Sequence, residues 1–360
     1  MAEIVFKGLK KVFSSGTVGI KNVDLTISDG EFTVVLGDSG SGKTVLSRLI
    51  CGLDDVSEGT ISIDGVVIND LQPKDRDLAL VVKNAGLVSG LNVFDNLSYG
   101  LKLRKMPKEE IEERTGEVAK ILGLSDVLAR NPKNISAIER QRVCIGRAFA
   151  RRPKIIILDE PFSDFNEETR LKLMEDVFKL QKRSKINFIY FTKKPEEALA
   201  LADKMIVLEK GEVIDYDTPA NVYDHPRTLP CARFIGEPPV NVFLGALKDD
   251  NGLKFVAESF ECDFDEDLRD YFKDYIGTGK KLQLAIRAED VRRGDMLKGK
   301  IEDKTESGDN KFVAFSVASD SSAHYALSDG AENVGETVGF SLDLSFANFY
   351  DFETEKNILG

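Results

Sequence analysis

Residues 32–52, FTVVLGDSGSGKTVLSRLICG, restrict the possible folds of this chain more than any other stretch. Phe32 to Leu36, β-branched, aromatic and aliphatic, read as a buried strand. Gly37, Gly40, Gly42, Lys43 and Thr44 then fill the spacing G-x-x-x-x-G-K-[ST], and an apolar-periodic run follows as a helix. The loop running through Gly37, Asp38, Ser39, Gly40, Ser41, Gly42, Lys43, Thr44 and Val45 can close backbone N–H groups around phosphate oxygens at the positive end of a helix. Lys43 supplies a point charge for the outer phosphates, and Thr44 a hydroxyl ligand for Mg²⁺. The implied ligand is a nucleoside triphosphate.

With 360 residues the chain is long enough for one major and one minor domain. A formal net charge of −12 argues against a nucleic-acid partner held by a basic surface. There is no apolar run of about 18 residues and no basic-then-apolar leader, so a cytoplasmic protein is expected. Cys51, Cys144, Cys231 and Cys262 lack C-x-x-C spacing, and the only histidines are His225 and His324. Neither a zinc site nor a disulfide framework is signalled, and the cysteines read as small apolar residues.

Two alternating runs, 4–9 and 23–27, flank a Ser/Gly turn at 14–16 and predict a hairpin. Phe13, just before that turn, reads either as an edge or core phenylalanine or as a ring that stacks on a base. Asp64-Gly65 predicts a second hairpin within 59–70. From 93 to 124 the pattern is helical, with Ile111, Thr115, Val118, Ala119 and Leu122 on one face of a helix opened by Pro107. A further helix is predicted over 137–151. Residues 155–160, IIILDE, read as a buried strand with an acidic tip, a geometry that suits a Mg²⁺-associated Asp159 followed by a base or water-orienting Glu160. Helix 171–180, strand 187–192, helix 195–202 and a hairpin around Lys210-Gly211 continue an α/β alternation. The Pro-rich stretch 226–239 reads as a linker or domain boundary. Beyond it, short strands at 283–286, 311–317 and 337–344 predict a small β-barrel or β-sandwich.

With these motifs in place, the chain resembles, over nearly all its length, the ATP-binding subunits of ABC importers, in particular the maltose-importer type with an extra C-terminal regulatory domain. The resemblance rests on the phosphate loop 37–44, VFDNL at 93–97, ERQRVCIGRAFARRP at 139–153, ILDEP at 157–161, EEALALADKMIVLEKGEV at 196–213 and IRAEDV at 286–291. It implies an α/β P-loop ABC ATPase domain over 1–235, with a helical subdomain near 84–153, and a β-rich OB-like regulatory domain over 236–360. Two such subunits sandwich two ATPs with Mg²⁺ beneath a membrane permease served by an external solute-binding protein. By this resemblance Phe13 stacks on adenine, Thr44 and Asp159 hold Mg²⁺, Glu160 is the catalytic glutamate, and the protein sits peripherally on the cytoplasmic face of the membrane.

Several positions depart from that family. Its signature loop Leu-Ser-Gly-Gly-Gln is here Ile135, Ser136, Ala137, Ile138 and Glu139, so only Ser136 keeps its role and both glycines are gone. The γ-phosphate-sensing glutamine is Lys83, a donor-only group that cannot ligate Mg²⁺, and the switch histidine is Lys193. The loop after ILDEP ends in Asn166 where an aspartate is usual. The nucleotide-gripping parts are intact while the catalytic accessories are altered. The resulting expectation is an importer subunit with weakened hydrolysis, working in a heterodimer with a more regular ATPase. A competent homodimeric ATPase and a non-transport regulatory module are the other readings.

Overall fold

The computed structural model describes residues 3–83, 86–184, 186–250, 252–318 and 320–359, with only the backbone at 320 and 321. It divides into two compact units, 1–219 and 220–360.

In the first unit, β1 (Ile4–Val12) and β2 (Val18–Ile27) pair antiparallel, and alternation turns Ile4, Phe6 and Leu9 inward. Then come β3 (Phe32–Leu36), α1 (Lys43–Cys51), β4 (Glu58–Ile63) and β5 (Val66–Val67). The β4–β5 turn places Asp64 at φ 51° and Gly65 at φ 76°, the left-handed pair that a two-residue hairpin of this hand requires. These strands form an antiparallel sheet in the order β2-β1-β4-β5.

The chain continues through β6 (Leu78–Val82), α2 (Val93–Leu103), α3 (Lys108–Ile121), α4 (Ala137–Ala150), β7 (Ile155–Asp159), α5 (Glu167–Ser184), β8 (Asn187–Thr192), α6 (Pro195–Leu201), β9 (Lys204–Glu209) and β10 (Glu212–Asp217). The second sheet runs β10-β9-β3-β8-β7-β6, parallel except for the β9–β10 hairpin. Its inner strands are buried along nearly their whole length, which is why FTVVL, IIIL and NFIYFT read as unbroken apolar runs. The helical face expected on α3 is buried: Ile111, Thr115, Val118 and Ala119. Gly146 on α4 lets its neighbours close in, since a Cβ there would stand 2.7 Å from Leu97, 2.9 Å from Val118 and 3.0 Å from Leu122.

The second unit carries α7 (Pro219–Asp224), α8 (Leu229–Phe234), β11 (Asn241–Asp249), β12 (Leu253–Ala257), β13 (Glu261–Asp263), β14 (Lys281–Ile286), β15 (Val291–Ser307), β16 (Asn310–Val317), β17 (Asp320–Leu327), β18 (Thr337–Leu342) and β19 (Asn348–Asp351). Two sheets, β13-β12-β11-β14-β19 and β17-β16-β15-β18, enclose one core containing Phe255, Phe272, Leu284, Phe315 and Phe340. This is the small all-β, OB-like domain that the resemblance implied. The Pro-rich stretch is not an open linker. Thr228 caps α8, Pro230 falls in its first turn, and Leu229 and Ala232 pack with Ala285 and Tyr350. No described helix is long and apolar enough to cross a membrane.

Candidate nucleotide site

Register brings the functional segments together. Leu36 lies beside Thr192, Phe191 beside Asp159, and Asp159 beside Val82, so the residues that follow β3, β8, β7 and β6 all leave the same carboxyl edge of the parallel sheet. Ligands of open parallel sheets bind at that edge. Those residues are Gly37, Lys193, Glu160 and Lys83.

The phosphate loop has a shape that side chains would fill. Gly40 and Gly42 stand at φ 82° and 108°. A Cβ on Gly37 would lie 2.4 Å from the Leu208 carbonyl, and one on Gly42 would lie 2.8 Å from the Gly19 carbonyl. Gly42 leads into α1, whose first turn carries no acidic side chain, so its orphan N–H groups and positive end are uncompensated. The Ser41 hydroxyl is buried without a partner. Lys43 is buried, and its Nζ donates to the carbonyls of Gly37 at 2.7 Å and Asp38 at 3.0 Å and lies 3.7 Å from Glu160 Oε1. Burial pushes its ammonium below the usual value, against the pull of Glu160 and Asp38. A buried cationic group held by two backbone carbonyls, with the Glu160 carboxylate 3.7 Å away and the charges of Asp38 and Asp159 also acting on it, fits polyphosphate.

Asp159 ends β7, and burial pushes its carboxyl above the ordinary range, with the charge of Glu160 adding to the effect. Glu160 itself sits at φ 44°, a left-handed conformation that costs a non-glycine residue about 1–3 kcal/mol, and its N–H donates to the Phe191 carbonyl at 3.0 Å. Among the described residues no group of three or more His, Cys, Asp or Glu could hold a metal by itself. Thr44 and Asp159 offer the hydroxyl and carboxylate oxygens that suit Mg²⁺, a cation that usually completes its shell with phosphate and water.

Phe13 is partly exposed and packs over Gly19, where a Cβ would stand 2.8 Å from its ring and 3.1 Å from Val45. The ring thus lies beside the first turn of α1. Lys11 Nζ stands 5.4 Å from its centroid. Ser136 caps α4 in a capping box with Glu139. Lys83 Nζ pairs with Asp164 Oδ1 at 2.6 Å, and Lys193 is exposed one residue beyond Thr192.

Two supports were not legible as motifs. Arg76 is buried and donates to the carbonyls of Leu49 and Ile50 at the C-terminal end of α1 and to those of Asn69 and Leu71, tying that helix end to the segment after β5. Glu197 on α6 accepts hydrogen bonds from Tyr190 and Thr192, each at 2.5 Å, and lies 2.9 Å from Arg170 Nε of α5. The Tyr190 phenol is pushed well up by burial and by that carboxylate.

A strand–phosphate loop–helix with an acidic strand tip, set in this sheet order, defines a P-loop nucleotide-binding protein. The model of the ABC transporter family matches residues 20–163. The oligosaccharides import ATP-binding protein MsmX of Bacillus subtilis (strain 168) is 34% identical over 369 residues, 99% of this chain and 100% of the relative. The sn-glycerol-3-phosphate import ATP-binding protein UgpC of Bartonella bacilliformis is 41% identical over 269 residues, 74% of this chain and 76% of the relative. Among solved structures, cbiO1 from Clostridium perfringens, part of the ABC transporter complex cbiONQ, superposes with a TM-score of 0.57 at 26% identity, covering 61% of this chain and 89% of that one. The chain belongs to the family of ABC transporter ATP-binding proteins.

Proposed function

We propose that this chain is the ATP-binding subunit of an importer for a sugar, polyol or sugar phosphate, with its own hydrolysis weakened and a second, more regular ATPase subunit as its partner. The observation that carries this reading is the contrast between the phosphate cradle at the sheet edge and the accessory positions after β6, after β8 and at the start of α4. Gly37, Gly40, Gly42, Lys43, Thr44 and Asp159 keep a phosphate and Mg²⁺ cradle, whereas Lys83, Lys193, Ile138 and Glu139 replace groups that act on the γ-phosphate in the relatives it resembles. Phe13 stacks on adenine in this reading, and Ser136, whose N–H and hydroxyl donate to Glu139, is the one signature-loop residue that keeps its type for a nucleotide held by the partner subunit.

The importer names of the two relatives support the solute class. A groove of about 580 Å³ beside α2 and α4 supports the permease contact: Leu53, Tyr99 and Leu103 line it as exposed apolar residues. Isolated exposed apolar side chains are ordinary, but three along one groove mark a protein contact. The protein would then sit on the cytoplasmic face of the membrane, served indirectly by an extracytoplasmic solute-binding protein. In a homodimer both composite sites would combine Lys83 and Lys193 with the altered loop 135–139, leaving no site with regular parts. Co-expression with candidate permeases and ATPases followed by native mass measurement tests this. The expected result is one copy of this chain with one copy of a different ATPase; a fully active complex of two copies of this chain with permease would overturn it.

A further inference from the structure

Ala137, Arg140, Gln141 and Cys144 fall on one stripe of α4, at the spacing of a single helix face. That stripe is one wall of a cavity of about 590 Å³, whose other walls include Leu87 from the segment after β6, Lys133, and Phe165 from the turn after β7. A cleft of this size takes a small molecule. No residue of the phosphate loop lines it.

The charges around the cavity are unbalanced. Asp164, its one carboxylate, lies 2.6 Å from Lys83, whereas Lys133 and Arg140 carry no ion pair among the described residues. Arg140 donates from Nη1 to the Ile135 carbonyl at 2.7 Å, which folds the guanidinium back toward the turn 132–134 that carries Lys133. In a chain of net charge −12, two cations without carboxylates at one cavity favour an anion there. Exposed cations alone are ordinary, and Gln141 supplies a second, independent sign. It is 6% exposed, and its Nε2 amide has no hydrogen-bond partner among the described residues. Buried donors are nearly always paired, and an orphan is costly. The terminal amide torsion is soft, so the amide can turn to an acceptor seated in the cavity that this side chain lines.

Two cations match a phosphate monoester, which carries about −1.5 to −2 at neutral pH. A guanidinium fork beside an ammonium suits its oxygens. The Gln141 amide nitrogen donates to a ligand oxygen, and the Asp164 carboxylate accepts from a hydroxyl while repelling a second anionic group. We propose that this cavity binds a small phosphorylated polyhydroxy solute, its phosphate at the Lys133–Arg140 end and its hydroxyls toward Gln141 and Asp164.

Titration calorimetry of the full chain without nucleotide tests the site, with glycerol 3-phosphate, glucose 6-phosphate, inorganic phosphate and glucose as probes. At a physiological ionic strength of about 0.15 M, at least one of the two phosphate esters should bind with a Kd below about 1 mM. It should bind about tenfold or more tighter than inorganic phosphate or glucose. Arg140→Met and Lys133→Met should each weaken that binding about tenfold, and Gln141→Met about fivefold, while Arg140→Lys should keep part of it. Thermal unfolding reports the fold of each variant, and should Gln141→Met fail to fold, the exposed Arg140 decides. Lys43→Ala should leave ester binding unchanged, which separates this site from the nucleotide site: a chain that binds the ester but no ATP defeats the nucleotide reading alone. Failure of both esters to bind overturns the proposal. So does inorganic phosphate binding as tightly as the esters, which would mean surface charge only, or ester binding that survives Arg140→Met or disappears in Lys43→Ala.

Discussion

Glu139 folds back on Ser136: its Oε2 accepts from both the backbone N–H and the hydroxyl of Ser136, each at 2.7 Å, while Ser136 Oγ accepts from the Glu139 N–H at 3.3 Å. A carboxylate of the chain itself thus sits on the N-terminal donors of α4. The Ser136 hydroxyl and N–H hold the Glu139 carboxyl below the ordinary range. A depressed carboxyl stabilises the fold fully above its unfolded value and loses that contribution as pH falls through the folded one. The stability advantage of wild type over Glu139→Gln should be present at neutral pH and vanish on acidification below the usual glutamate range. Urea unfolding across pH checks this; a difference that is flat with pH would contradict it. Ser136→Ala, which removes the cap, should cost about 1 kcal/mol in the same measurement.

Lys43→Ala should abolish most Mg·ATP binding, since no other side chain in the loop carries positive charge. Phe13→Ala should weaken binding by about 1–3 kcal/mol, the usual worth of a base stacked on an aromatic ring. Equilibrium titration with a fluorescent nucleotide reads both. Unchanged affinity in the Phe13 variant would return that ring to a plain hairpin packing role over Gly19.

Arg76→Met should destabilise the first unit by about 3 kcal/mol, because it leaves the buried carbonyls of Leu49 and Ile50 and the partly buried ones of Asn69 and Leu71 without their donor. Denaturant unfolding is the measurement. A loss below about 0.5 kcal/mol, the level of an ordinary surface substitution, would show that water replaces the guanidinium at that helix end.

The elements of this fold were legible because their signals are local. The G-x-x-x-x-G-K-T spacing, the Asp64-Gly65 turn and the IIIL and FIYF runs each state a backbone requirement in a few adjacent residues. The Pro-rich stretch misled because proline at the first turn of a short helix and proline in a linker look alike in sequence. Site residues defined by spacing, Lys43 and Asp159 among them, stand at one sheet edge. Arg76, Asp164 and Glu197 were not legible in these roles: Arg76 reaches back 26 and 27 residues to Ile50 and Leu49, Asp164 pairs with Lys83 of a distant segment, Glu197 meets Arg170 of another helix, and no periodicity announces such contacts.

Glu197→Ala should cost about 3–5 kcal/mol, since it leaves the buried Arg170 with only the more distant, exposed Glu196 carboxylate at 3.7 Å and frees Tyr190 and Thr192. Glu197→Asp should recover part of the loss if the node acts through charge. Thermal unfolding compares the two, and equal loss in both would mean that reach rather than charge decides.

The central claim is that this chain grips Mg·ATP while its own catalytic accessories are weakened. Binding and turnover measured on one purified sample test it most directly. Removal of one well-placed transition-state contact typically lowers the rate by about 10²–10³, and the proposed reading has several replaced, with effects that do not simply add. The account predicts saturable Mg·ATP binding that depends on Lys43, with hydrolysis at least about 10²-fold below an ordinary turnover of about 10 s⁻¹. Turnover near 10 s⁻¹ by this chain alone would contradict it and show that Lys83 and Lys193 do the work of the glutamine and histidine they replace.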